Sequence, residues 1–503
     1  MTRLATDESK PEPQPDNVAA DNIAAIAGRG TIYITAAKIW FMASGYAIHF
    51  ALPRLISKDQ FGIYQVVIGV VSIINAVIIS GTYQTVSKRI SEDEDNAGSV
   101  KAAALKLQVL IGGGASLLFC LAAPVVSAYL NDSRLVSYLR LASLITLCYS
   151  FYAVFTGYFN GRRKFLGQAL LDMSYSTFKL TFIILFVWLG FGIAGAIGGF
   201  ALAAASVLAL SAIVSGKGGR VKEVRMSDLL GFQTYLLLFT LAINLLQKTD
   251  LIMIKALSSA DALTASENVG AYGAAINVAN ITYQVIISAA FVIFPLVSRS
   301  TFVKDRERTR TYIANTFRYT MIVMALTATL FSANASGLLS LVYPQNYQDG
   351  SAALGVVAYG MLLFGLLFVA TTMISASGRP GMSLAIGLGA LAVSAALNWL
   401  LIPVYGLVGA AIATTAAMLV GSVFACVYLW RKFGALMPVW SAVRIAVCAA
   451  AIYGASLLFS TSSKVPIVAK LVALSVSYLI ALIASREVGR DDFRMITRVV
   501  RAK

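Results

Sequence analysis

Apolar runs of about 20 residues recur along the chain from Thr31 to Ala484, and nothing else in it limits the fold as strongly. Each run is long enough to cross roughly 30 Å of hydrocarbon as a helix, the one open-ended element that satisfies its own backbone polar groups in lipid. Strands of a membrane barrel would alternate apolar and polar residues in shorter stretches. A length of 503 residues suggests about three soluble domains, but 58% hydrophobic against 13% charged residues describes a chain solvated by lipid. Fourteen spans are predicted, at about 31–52, 62–82, 104–128, 136–157, 168–189, 193–214, 230–256, 271–297, 313–333, 352–375, 382–401, 406–430, 441–460 and 467–485.

The net charge of +17 could suggest nucleic acid, yet the basic residues form no domain. They gather in alternate loops: Lys88/Arg89, Arg162/Arg163/Lys164, Lys217 to Arg225, Arg299 to Arg310, Arg379, Arg431/Lys432 and the tail after Arg486. The opposite loops hold only Arg54, Lys58, Arg134 and Lys464, with Lys255 at a helix end. This bias predicts both termini on the cytoplasmic side. Outer loops stay within about 15 residues, too short for a soluble catalytic domain, and no phosphate loop ending in Gly-Lys-Ser/Thr occurs, so neither an enzyme nor an ATPase is expected. The acidic stretches Ser91–Asp95 and Ser258–Gly270 read as solvated loops. Cys120, Cys148, Cys426 and Cys448 fall inside apolar runs without metal-ligand spacing and read as small core residues, so no metal or cofactor is expected.

An internal duplication organises the chain. Phe61-Gly62-Ile63-Tyr64 matches Val269-Gly270-Ala271-Tyr272 at an offset of 208, Gly161-Arg162 matches Gly378-Arg379 at 217, and Gly192-x-x-Gly195-Ala196 matches Gly406-x-x-Gly409-Ala410 at 214. Each repeat holds six spans, an even number, so both halves enter the membrane in the same sense and are related by an axis along its normal. The predicted architecture is an all-α polytopic protein of two six-helix bundles facing a central cavity, with spans thirteen and fourteen as an added hairpin. The corresponding division is a disordered tail over 1–29, bundles over 30–228 and 229–433, the hairpin over 434–486 and a basic tail over 487–503.

Ionisable side chains in hydrocarbon are costly and normally face a partner or water, which makes the few inside the spans the candidate functional groups. Arg140, Arg318, Arg444 and Lys470 lie near span ends, where long basic side chains reach the headgroups. Lys38 lies about seven residues inside the first span, consistent with either snorkelling or cavity lining. Lys179, about twelve residues into the fifth span, is too deep to snorkel; Asp172, seven positions earlier, shares its face. A ligand role and a structural ion pair both fit that stripe. Lys248 follows Lys38 by 210, near the repeat offset, so the duplication places a lysine on the first helix of both halves. Asp250 beside it reads as a charge compensator or, with Asp172, as the group that would carry a coupling proton. Asn244, Asn277, Asn280, Gln284 and Asn398 supply neutral polar lining or inter-helix hydrogen bonds. His49, the single histidine, reads as a packed residue near the outer surface.

Leu55 to Arg89, with Gln60-Phe61-Gly62-Ile63-Tyr64, Gly81 and Val86-Ser87-Lys88-Arg89, resembles the opening of bacterial polysaccharide (O-antigen type) flippases. Lys248-Thr249-Asp250 followed by Val269-Gly270-Ala271-Tyr272 is similar to the aspartate and Gly-x-Tyr of the matching place in those proteins. The resemblance implies a member of the multidrug/oligosaccharidyl-lipid/polysaccharide exporter superfamily in the bacterial inner membrane, working by alternating access. It implies an undecaprenyl-pyrophosphate-linked oligosaccharide as substrate, membrane lipids and polysaccharide polymerase machinery as partners, and a proton or sodium as coupling ion. A pyrophosphate needs cationic partners in a low-dielectric cleft, which Lys38, Lys179 and Lys248 would supply. A cation or drug antiporter of the same fold would carry more acidic residues in its cavity. A lipid II flippase would carry an arginine-rich first helix, where this chain has Lys38 as its sole deep cation.

Overall fold

The computed structural model describes residues 15–216, 234–303, 305–434, 436–459, 464–489 and 492. Its helices are α1 (Pro15–Leu55), α2 (Lys58–Glu92), α3 (Ala97–Tyr129), α4 (Leu135–Gly161), α5 (Phe165–Phe186), α6 (Gly192–Ser215), α7 (Thr234–Leu246), α8 (Thr249–Leu257), α9 (Ala262–Phe302), α10 (Arg306–Ala333), α11 (Ala335–Val342), α12 (Ser351–Ala376), α13 (Pro380–Phe433), α14 (Val439–Leu458) and α15 (Lys464–Ala484). All fourteen predicted spans fall on these helices; the start of the seventh, at 230–233, and the end of the thirteenth, at residue 460, lie outside the described residues. α1 runs back to Pro15, so 15–29 is helical rather than part of a disordered tail. Alanine, the best helix former, recurs through this stretch. Residues 1–14, the basic loop Lys217 to Arg225 and most of the basic tail lie outside the described residues.

Glycine shapes the two tight hairpins. The fifth and sixth spans join through a π-helical turn, Val187–Phe191, with Gly190 at φ 92° and Gly192 at φ 53°, ψ −136°. The eleventh and twelfth spans run as one 54-residue segment bent at Gly406, φ 54°, ψ −130°. Gly192 and Gly406 therefore share one positive-φ conformation that L side chains avoid. A Cβ on Gly195 would meet the Phe186 carbonyl oxygen at 2.9 Å, and one on Gly409 the Leu401 oxygen at 2.3 Å, so the second glycine of each motif lets the arms close.

The duplication recurs in packing. α1 packs on α5 as α7 and α8 pack on α13; α2 packs on α4 as α9 does on α12; α3 packs on α4 as α10 does on α12. One predicted match is shifted by two. The left-handed helix ends are Arg163 (φ 54°) and Gly378 (φ 82°), followed by equivalent amide bonds from Lys164 to the Phe159 carbonyl and from Arg379 to that of Ile374. Arg163 and Gly378 are 215 apart, in line with 214 for the hairpins, whereas Gly161 is an in-helix glycine packed against the Ser87 carbonyl.

The halves meet chiefly where α2 crosses its repeat partner α9. A Cβ on Gly62 would lie 1.8 Å from the Ser266 carbonyl oxygen, and one on Gly270 would lie 2.5 Å from that of Lys58. The duplicated Gly-x-Tyr motif is thus a backbone-to-backbone crossing on the surface that carries the two hairpin bends, here termed the far face. Ser266, Val269 and Gly270, expected in a solvated loop, are buried in this crossing. Residues 334–350, the connection into α12, fold over it as α11 and a 3-10 turn, with Tyr347 fully buried against Phe61 at 5.8 Å between ring centres. The terminal hairpin, α14 and α15, packs on α10, outside both bundles.

Candidate functional site

The seventh span is a broken helix. α7 and α8 meet at 45° across Gln247 and Lys248. Discontinuous helices in lipid are tolerated where they border a cavity, and this break projects Lys248 into one. Asp250 falls in the first turn of α8, where its carboxylate accepts the Leu251 amide at 2.7 Å, the Tyr272 hydroxyl at 2.7 Å and the Thr414 hydroxyl at 3.2 Å.

The cavity lies between the halves and measures about 950 Å³. Along α1 it is lined by Lys38, Phe41, Tyr46 and His49, from α5 by Ser176 and Lys179, and from α9 by Asn277, Asn280 and Gln284. Gly30, Asn160 and Phe165 line it at the surface opposite the far face, the near face. The far face is sealed by the α2–α9 crossing and by an ion cluster that joins the halves. Lys255, with its side chain fully buried, donates to Asp132 at 2.8 Å, Ser266 Oγ at 2.7 Å and the Ala262 carbonyl at 2.8 Å. Arg134 pairs with Asp132 at 2.8 Å and reaches Asp59 at 3.4 Å. Burial would raise the Asp132 carboxyl, but the bonds from Arg134 and Lys255 hold it down at about 2. Lys58 pairs with Asp349 across the halves at 2.5 Å, with Asp349 largely exposed.

Lys38, Lys179 and Lys248 all line this one cavity, with Asn277, Asn280 and Gln284. The Lys179 ammonium also rests 4.1 Å from the centre of the Phe200 ring. No Asp or Glu stands in the described lining. Asp172 is not among the lining residues but is only half-buried; it accepts the Tyr152 hydroxyl at 2.7 Å and lies within the field of Lys38. Asp250, by contrast, is enclosed by protein. Asn244 and Asn398 are not lining residues: each turns its amide back onto its own helix, to Thr240 and Ser394 at 2.8 Å, as polar side chains in lipid-buried helices commonly do.

Two residues depart further from expectation. His49 is not a surface packing residue but lines the closed end of the cavity, 3.4 Å from Asn277 across the halves. Arg318 does not reach for headgroups; it is clamped by Glu487 at 2.8 Å and Asp492 at 3.1 Å, with Arg444 3.7 Å from Glu487. Asp132 and Lys255 were missed as partners. The available signal was that charge is scarce in the far loops, so each one retained there calls for a reason.

Residues 27–301 match the family described as Polysaccharide biosynthesis protein. The chain is 24% identical over 399 residues to "Uncharacterized membrane protein YabM" of Bacillus subtilis (strain 168), covering 72% of each protein. It is 22% identical over 237 residues to "Probable low-salt glycan biosynthesis flippase Agl15" of Haloferax volcanii, covering 46% of this chain and 50% of that one. Its fold is similar to that of a solved structure of "Lipid II flippase MurJ, inward closed conformation", with a TM-score of 0.72 at 14% identity over 91% of this chain and 99% of the other.

Proposed function

This chain belongs to the polysaccharide biosynthesis protein family, and from that premise we propose that it is a flippase for an undecaprenyl-pyrophosphate-linked oligosaccharide, carrying the polysaccharide repeat unit across the bacterial inner membrane. The observation that carries the reading is the wall of the central cavity: three lysines and no carboxylate among its described residues. A cavity of one sign in low dielectric concentrates ligands of the other, and a pyrophosphate offers two linked anionic groups for Lys38, Lys179 and Lys248 to share. The amides of Asn277, Asn280 and Gln284 suit sugar hydroxyls, each of which needs a partner once desolvated. The similarity to the glycan biosynthesis flippase of Haloferax volcanii supports a glycan-linked substrate. The acid-free wall disfavours a cation or drug antiporter.

Transport follows an alternating-access cycle. The near face, cytoplasmic by the distribution of basic loops, admits the headgroup while the far face is sealed; substrate binding draws the halves together on the near side, and the far-face crossing parts. Asp250 and Asp172 are the groups to take up a coupling proton or sodium ion. No step requires the chain to act as an enzyme.

The test is export of surface glycan in a deletion strain carrying K38A, K179A or K248A, with insertion monitored by membrane-fraction blotting. The expected result is accumulation of lipid-linked repeat units on the cytoplasmic leaflet, with each lysine variant failing to restore export. Normal glycan export in the deletion strain removes the reading, and full rescue by all three variants removes the site. Loss of cell-wall precursor transport without a glycan defect would assign lipid II instead.

A further inference from the structure

A second cavity, about 460 Å³, lies between the two arms of α13 and shares no lining residue with the central one. The arms are joined at Gly406 on the far face and splay toward the near face. Ala385, Gly389 and Ala390 of the first arm face Gly421 and Phe424 of the second. A Cβ on Gly389 would have nothing within 4 Å, so the groove is open space at that point. Phe424 is 65% exposed beside it, which in this chain means facing lipid.

The groove does not end in apolar side chains. Its near-face end is lined by Tyr428 and Arg431. The Tyr428 hydroxyl is buried without a hydrogen-bond partner among the described residues. Arg431 has no ion-pair partner there either, nor has Arg379, which caps the start of the first arm and acts on Lys432 through its charge, while Lys432 is held by the Ser377 hydroxyl at 2.8 Å. An apolar slot ending in an unpaired donor and unpaired guanidinium groups has the chemistry of one acyl chain beneath an anionic headgroup.

We propose that the groove between the arms of α13 is a binding site for an anionic phospholipid of the near-face leaflet, one acyl chain running along Ala385 and Gly389 and its phosphate held by Arg431 and Arg379. The Tyr428 hydroxyl donates to a headgroup or ester oxygen. The separation from the central cavity assigns the site to bilayer lipid rather than to the isoprenoid tail of a transported molecule. Binding wedges the splayed hairpin from outside and so supports the helix on which α7 and α8 pack.

The test is native mass spectrometry of the purified full-length chain, titrated with phosphatidylglycerol or phosphatidylethanolamine of matched acyl chains. Wild type should prefer phosphatidylglycerol; each cation near an anionic headgroup contributes about 1 kcal/mol, so Arg431→Gln should reduce the preference about fivefold and Arg431→Gln with Arg379→Gln further. Gly389→Leu should fill the slot and weaken binding of both lipids. Tyr428→Phe keeps the arginines and the volume, and should weaken both lipids by a few-fold if the arginine variants do not fold. An unchanged lipid preference in Arg431→Gln, or full binding in Gly389→Leu, overturns the proposal, as does displacement of phosphatidylglycerol by undecaprenyl phosphate.

Discussion

Asp132→Asn should open the far face, and Lys255→Met should do so much less, because the two substitutions strand different charges. Without the carboxylate charge, the fully buried Lys255 ammonium keeps only neutral acceptors: Ser266 Oγ, the Ala262 carbonyl and the amide oxygen of the new asparagine. Breaking a buried pair by removing one partner typically costs about 3–5 kcal/mol, which at tenfold per 1.4 kcal/mol is a shift of roughly a hundredfold or more between conformers. Without the lysine, Asp132 still has Arg134 at 2.8 Å, so the loss is closer to that of one charged hydrogen bond, about 1.5–3 kcal/mol. Lys58–Asp349 cannot compensate, since a pair with Asp349 70% exposed is worth about 1 kcal/mol or less. Spin labels at Ser133 and Leu263, exposed positions on opposite halves, in a background without Cys120, Cys148, Cys426 and Cys448, would report the separation by pulsed electron resonance. Wild type should give one short distance, Asp132→Asn a second longer population, and the Asp132→Leu/Lys255→Met double variant a return toward wild type. Equal distributions in wild type and Asp132→Asn, or a larger effect from Lys255→Met, would refute the reasoning.

The same carboxylate sets a pH dependence. A group depressed from 3.8 to about 2 stabilises the closed face fully above 3.8 and loses that contribution as pH falls through about 2. The spin-label distances should therefore lengthen across that window in wild type but not in Asp132→Asn. Gly62→Ala and Gly270→Ala would each place a methyl against a backbone carbonyl that no rotamer change can move; the expected cost is about 1–3 kcal/mol, read as a lower melting temperature with the closed distance population reduced. Glu487→Gln weakens the clamp on Arg318 and Arg444 by about 2 kcal/mol, and limited trypsin digestion at Arg486 should then proceed faster than in wild type.

Much of this arrangement is legible in sequence because lipid enforces it. The helix must bond its own backbone and must be about 20 residues long, so hydropathy alone finds fourteen spans. The duplication is legible because glycine is required wherever two backbones touch or φ turns positive, and Gly62/Gly270, Gly192/Gly406 and Gly195/Gly409 are such places. Where an alternative residue can adopt the conformation, the signal blurs: Arg163 occupies the left-handed position that Gly378 fills in the other half, and matching letters instead of conformations misplaces the register by two. Lys179 stands out by its depth and Lys248 by its repeat offset from Lys38, both one-dimensional properties. Partner identity is not one-dimensional. Asp132 and Lys255 are 123 residues apart and His49 and Asn277 are 228 apart, and no period or offset connects them.

Those illegible contacts are where the two halves differ. A perfect duplicate would present the same groups from both halves. Here the first span is continuous through Lys38, while its repeat partner is broken at Lys248, which places one lysine on a rigid helix and the other on a hinge of 45°. Asp250 ties the far side of that hinge to Tyr272 on α9 and Thr414 on α13, so movement of α8 must strain or release both contacts. Lys255, at the end of the same nine-residue helix, is bound to Asp132 of the other half. One short helix therefore links the cavity cation at its start to the far-face seal at its end. Replacing Asp250 by Asn keeps the size of the side chain and weakens the tie, so in the same spin-label assay it should loosen the far face without touching the Asp132–Lys255 pair; a closed distance population equal to that of wild type would show that α8 does not couple the two.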